Sequence, residues 1–203
     1  MSSATAQGRP IGRGTVDQRR YVERAAAGDH DAFAVLVDLA VARLDAAARL
    51  ILRDRELARD AVQDALIRAW RDLPGLRDPD RFDAWLHRLT VNACLDLLRH
   101  RRRRPFEVEL SPIDPHPAPD MLGSLADREF LDRALARLDP SYRAVVALHY
   151  LLGMPLPDVA SALGIPLGTA KSRLNHALTV MRRTVVADRG PADVEPVAGG
   201  QLA

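Results

Sequence analysis

The stretch Leu156-Pro-Asp-Val-Ala-Ser-Ala-Leu-Gly-Ile-Pro-Leu-Gly-Thr-Ala-Lys-Ser-Arg-Leu174 reads as two helices joined by a tight turn. Ala160 is small where two helices must cross closely, and Gly164 admits the positive φ that such a turn demands. Val159, Leu163 and Ile165 supply apolar groups for the corner, and Pro166 suits the first turn of a following helix. Beyond it, Ala170, Leu174, Ala177 and Met181 recur at i, i+4, i+7 and i+11, an inward stripe. That stripe turns Thr169, Ser172, Asn175 and His176 outward, with Lys171 and Arg173 on the flanks. Small hydrogen-bonding side chains edged by cations suit a helix in the major groove of duplex DNA. Gly164, Gly168, Lys171 and Ser172 superficially suggest a phosphate loop, but their spacing is wrong for one and no strand precedes them.

Working outward, helical periodicity continues in both directions and no alternating strand pattern is convincing. The spacing predicts helices near 126–138, 141–152, 156–163 and 167–187, a C-terminal module. Upstream, Pro105–Asp120 holds five prolines (105, 112, 115, 117 and 119) and little apolar content, so it reads as a semi-extended linker. A first module over 18–104 has predicted helices near 21–27, 31–52, 55–73 and 79–102. The expected architecture is all-α: two small helical domains joined by a flexible proline-rich linker, the second with the helix-turn-helix. Residues 1–17 and 188–203 are expected to be disordered extensions, and 105–125 the acidic linker between the domains.

Charge follows the same division. Leu86–Arg104 carries six Arg against one acid, Pro105–Asp132 seven acids against one Arg, and Leu167–Val186 four cations with no acid. A net charge of only +2 hides two basic regions separated by an acidic one, an arrangement suited to two contacts with a polyanion.

In the predicted helix over 55–73, Ala58, Ala61, Val62, Ala65, Leu66, Ala69 and Leu73 form an apolar stripe. The opposite face carries Asp60, Gln63, Asp64, Ile67 and Arg71, so Ile67 stands apolar among polar neighbours. A lone exposed apolar residue is ordinary; ringed by Asp and Gln, it also has the form of a docking hot spot. In the next helix Phe82, Leu86, Leu89, Ala93 and Leu97 are predicted to turn inward, while Trp85, Arg88, Asn92 and Arg99 share a flank. An aromatic ring, guanidinium groups and an amide together suit an unpaired strand, although core packing competes for Trp85.

Several classes fall away. A single Cys94 excludes an intrachain disulfide framework. His87 and Cys94 are seven apart on one helix but lack a third ligand, and the six histidines are scattered singly, so neither a metal centre, a cofactor nor a catalytic cluster is expected. No apolar run approaches the roughly 20 residues that span a bilayer. Residues 1–16 carry Arg9 and Arg13 without an apolar core, unlike a secretory signal, so a cytoplasmic protein without membrane insertion is expected.

Three stretches, Asp60–Trp70, Phe82–Arg99 and Pro157–Leu174, resemble the extracytoplasmic-function class of bacterial sigma factors. The resemblance implies a factor without catalysis or small-molecule substrate that binds core RNA polymerase, directs it to promoter DNA and promotes melting. It implies that the helix face of Asp60, Gln63, Asp64, Ile67 and Arg71 docks on the clamp coiled coil of polymerase. The Pro74–Phe82 loop, with Arg77, Arg81 and Phe82, and the helix carrying Trp85, Arg88, Asn92 and Arg99 would capture the unpaired minus-ten strand. Thr169, Lys171, Ser172, Arg173, Asn175 and His176 would meet the minus-thirty-five duplex, and the acidic linker would thread toward the RNA exit path. The class also admits an anti-sigma factor as partner. Two rivals stay open at this point: a stand-alone helix-turn-helix regulator whose N-terminal module senses a ligand or dimerises, which binds its operator without polymerase, and an enzyme such as a nuclease, which needs a metal cluster.

Overall fold

A computed structural model describes the backbone of residues 14–103 and 125–189, with side chains over 18–101 and 131–184. The expected linker over 105–124, residues 1–13 and the tail from 190 onward lie outside the described residues. Among the described residues all regular structure is helical: α1 (Gly14–Ala26), α2 (His30–Leu52), α3 (Arg55–Asp72), α4 (Phe82–Arg103), α5 (Leu125–Ala136), α6 (Pro140–Val146), α7 (Leu156–Leu163) and α8 (Leu167–Arg189). Short 3₁₀ turns at Leu73–Gly75 and Pro79–Arg81 lead into α4. A π-helical turn, Ala147–Leu151, follows α6. No described helix is long and apolar enough to cross a membrane.

Local chemistry sets the ends of these helices. Asp29 caps α2 by accepting from the Ala32 amide at 3.0 Å, and Asp54 caps α3 by accepting from the Leu57 amide at 3.0 Å. Between α2 and α3 lie only Arg53 and Asp54. Arg53 takes a left-handed conformation (φ 53°) and donates its amide to the Arg49 carbonyl. At the end of α7, Gly164 is left-handed (φ 63°, ψ 35°). Its amide reaches the Ser161 carbonyl, and the Ile165 amide reaches back to Ala160 at 3.0 Å, closing a Schellman turn.

Helix α3 buries Ala58, Ala61, Val62, Ala65 and Ala69. Alanine at these positions lets α2 and α4 approach closely, and together with α1 they form the first module. Helix α4 is enclosed on more than one side. Besides Phe82, Leu86 and Ala93, it buries Thr90, Val91 and Cys94. The predicted inward residues Leu89 and Leu97 are only half-buried. The extra burial arises because α4 also packs on α7 and α6, and α2 on α6 and the π-helical turn. Ile51, Leu86 and Val91 of the first module thus share one continuous core with Leu138, Val145, Leu148 and Val159 of the second.

Candidate nucleic-acid and polymerase surfaces

Three surfaces carry the sequence-predicted residues. On the first, Ile67 is 59% exposed. It does not stand alone: with Gln63, Val62 and Leu66 it forms one wall of a groove of about 800 Å³ between α3 and α2. The opposite wall is Phe33, Val37 and Val41 of α2, and Trp70 also lines the groove. The Trp70 ring stacks on His30 (centroids 4.3 Å apart, planes at 27°) and is tilted against Phe33. The other polar residues of this face are partly engaged. Asp64 pairs with Arg68 at 2.7 Å, Arg71 pairs with Asp72 at 2.8 Å, and Asp60 is exposed. Sequence reasoning missed the α2 wall, whose signal was the i, i+4, i+8 spacing of Phe33, Val37 and Val41.

The second surface is the flank of α4. Arg77, Arg81 and Arg88 are exposed, Asn92 is half-buried, and the half-buried Trp85 ring lies 6.0 Å from that of Phe82. Arg99 is exposed but bonds Asp96 at 2.7 Å. Phe82 departs from the expected set of strand contacts: at 2% exposure it is a core residue, turned inward where α4 begins. Trp85, Arg81 and Arg88 do not face open solvent alone. With Ala84 they line a crevice of about 240 Å³ closed by Met154, Asp158, Ser161 and Ala162 on and beside α7.

The third surface is α8. Ala170, Leu174 and Ala177 are buried and Lys171, Ser172, Asn175 and His176 exposed, as the stripe predicts, whereas Met181, expected inward, and Thr169, expected outward, are both half-buried, as is Arg173. The Ser172 hydroxyl donates to the Thr169 carbonyl at 3.0 Å, so it presents lone pairs outward. The His176 ring packs against Tyr142 of α6. Arg173 faces a cavity of about 550 Å³ shared with Leu95, Leu98 and Arg99 of α4. Sequence spacing had no means of joining those elements.

The buried titratable groups are not arranged for chemistry. Burial pushes the Cys94 thiol up to about 12, which keeps it a thiol rather than a nucleophilic thiolate. Burial also pushes His87 below the usual histidine range, and its Nδ1 has no hydrogen-bond partner. Among the described residues no group of three or more His, Cys, Asp or Glu is placed to hold a metal ion.

With this geometry in view, known proteins assign the two modules. The family described as sigma-70 region 2 matches residues 36–104, and sigma-70 region 4 matches residues 128–181. The ECF RNA polymerase sigma factor SigM of Mycobacterium tuberculosis is 36% identical, covering 85% of this chain and 88% of its own. SigL of the same species is 33% identical over 81% of this chain and 94% of its own. Among solved structures, CnrH in complex with the cytosolic domain of CnrY superposes with a TM-score of 0.63 at 29% identity, covering 85% of this chain and 99% of that one. The sigma factor RpoE of Bartonella quintana, in complex with the anti-sigma factor NepR, gives a TM-score of 0.64 at 27% identity, covering 77% and 98%. The chain belongs to the sigma-70 family, in its extracytoplasmic-function class, and is a sigma factor that directs RNA polymerase to promoters.

Proposed function

We propose that three surfaces divide the work of initiation in this chain. The α2–α3 groove lined by Ile67 and Gln63, with Asp60, Asp64 and Arg71 on the same helix, docks core RNA polymerase. The flank of α4 carrying Trp85, Arg88, Asn92 and Arg99, together with Arg77 and Arg81, takes the unpaired minus-ten strand. The exposed face of α8 reads the minus-thirty-five duplex. The observation that carries this reading is the exposed apolar groove, whose walls come from two helices and include the exposed Ile67. An apolar groove edged by charged side chains suits a partner helix.

The chain works without catalysis of its own, and its place of action is that of the polymerase, the cytoplasm. An anti-sigma factor is a further partner, because the solved relatives RpoE and CnrH were captured with NepR and with the cytosolic domain of CnrY. Permanganate probing of promoter DNA with reconstituted holoenzyme tests the strand surface. Arg88→Ala and Asn92→Ala are expected to lower the reactivity of unpaired thymines while leaving polymerase binding and upstream duplex contacts intact. Unchanged opening in both variants assigns the flank to structure alone.

A further inference from the structure

The segment leading into α4 has a charge balance at odds with a place beside an unpaired strand. Between Arg77 and Asp83 it carries two cations, Arg77 and Arg81, against three carboxylates, Asp78, Asp80 and Asp83, and all five are exposed. A polyanion meets net repulsion from such a segment unless its carboxylates are engaged elsewhere. They are engaged. Asp78 turns back on its own chain and accepts from the Asp80 amide at 3.1 Å. The other two are taken by α1: the Arg19 guanidinium donates to Asp80 at 3.2 Å, and the Gln18 side-chain amide donates to Asp83 at 2.6 Å. Arg19 is steadied by Glu23 one turn on, whose carboxylate accepts from its Nε at 3.0 Å. That hydrogen bond and the charges of Asp80 and Asp78 raise Arg19 above the ordinary arginine value.

Helix α1 is well placed to hold them. Val22 and Ala25 are buried in the core, and α1 lies against α2 and both 3₁₀ turns. Gln18 sits one turn before Val22 on the same face, so the burial of Val22 aims it at the start of α4. The whole of α1 precedes the residues 36–104 that match sigma-70 region 2. At 53% and 63% exposure the Arg19–Asp80 pair adds little to stability, so its consequence is for charge. A carboxylate left free beside the strand repels phosphates within a Debye length, about 10 Å at 0.1 M salt. We propose that Gln18 and Arg19 are positioning residues for strand capture: they hold Asp83 and Asp80 against α1, so that Arg77 and Arg81 meet the minus-ten phosphates unopposed. This role of α1 rests on the assignment of the segment to the minus-ten strand.

The test uses holoenzyme reconstituted from core polymerase and the full chain. Core affinity, thermal melting and permanganate reactivity of promoter thymines are read for each variant. Arg19→Ala is expected to lower thymine reactivity about threefold at low salt, within the range of an exposed ion pair, with core affinity and melting temperature unchanged. The loss is expected to shrink as salt rises, because screening weakens the repulsion that Arg19 prevents. A purely mechanical brace gives a loss that salt does not change. Adding Asp80→Asn to Arg19→Ala removes the carboxylate without remaking the ion pair, and is expected to restore opening. Gln18→Glu sets a second carboxylate against Asp83 and is expected to lower opening in the same salt-dependent way. Arg81→Ala tests the strand assignment itself and is expected to lower opening. Normal opening in Arg19→Ala beside impaired opening in Arg81→Ala overturns the role of α1 and leaves the strand assignment standing. A loss in Arg19→Ala that Asp80→Asn fails to restore also overturns it, because α1 is then a brace alone. Normal opening in Arg81→Ala takes the strand away from this segment, and the role of α1 falls with it.

Discussion

The His176 ring on the outward face of α8 packs against the ring of Tyr142 on α6, with centroids 4.8 Å apart and planes inclined at 37°. The contact ties α8 to the helix beneath it, so His176 holds the position of the face proposed to read the minus-thirty-five duplex. Tyr142→Phe keeps the ring and is expected to leave upstream promoter selectivity unchanged. Tyr142→Ala removes a contact worth about 1 kcal/mol and is expected to weaken discrimination among minus-thirty-five variants without changing polymerase affinity. Holoenzyme binding to a panel of single-base promoter variants measures both.

Lys171 and Asn175 occupy different edges of the same helix, and both are exposed. Lys171→Ala is expected to weaken binding equally across promoter variants and to reduce the salt slope by about one phosphate contact. Asn175→Ala is expected to flatten the preference among variants by about 1–3 kcal/mol at one position, with the salt slope unchanged. Binding titrations at several salt concentrations separate the two. The opposite pattern means that the roles of these edges are exchanged.

Gly164 sits at φ 63° in the turn between α7 and α8, with open space where a Cβ would project. Gly164→Ala therefore tests backbone strain alone, and is expected to cost about 1–2 kcal/mol of stability. Chemical denaturation of the full chain reads it, and no loss of stability contradicts the strained turn.

His87 is buried on α4, and desolvation lowers its pKa in the folded chain below the ordinary 6.5. The unfolded chain then binds a proton that the folded chain refuses as pH falls below 6.5. Its contribution to stability is fully present above that value and is lost as pH falls through the window down to the folded pKa. His87→Gln is expected to show a smaller fall in melting temperature between neutral and mildly acidic pH than the unsubstituted chain. Parallel thermal melts over that range check it, and identical pH dependence refutes it.

Much of this was legible in sequence because it is local. The stripe Ala170, Leu174, Ala177 sets the face of α8 through helical periodicity alone, and Gly164 announces its turn. The same logic found Ile67, exposed on α3. Periodicity carries no information about which helix lies opposite, so the α2 wall of Phe33, Val37 and Val41 stayed hidden. Arg143 to Ile51 spans 92 positions and Arg53 to Asp132 spans 79. Contacts at such separation depend on how modules pack rather than on local pattern. Helical spacing placed Phe82 inward, where it is buried, whereas its place among the strand contacts came from the family resemblance and does not fit a core side chain.

The central claim is that this chain confers promoter-directed initiation on core polymerase through the groove at Ile67, and run-off transcription tests it most directly. Purified core enzyme is incubated with genomic promoter fragments and either the unsubstituted chain or Ile67→Asp, with folding of both verified by circular dichroism. Defined transcripts are expected only with the unsubstituted chain. Ile67→Asp forces a charge against the apolar partner, at a cost of several kcal/mol, and is expected to abolish both transcription and co-purification with core enzyme. Absence of transcripts with the unsubstituted chain contradicts the function, whereas full activity of a folded Ile67→Asp contradicts the assigned docking groove.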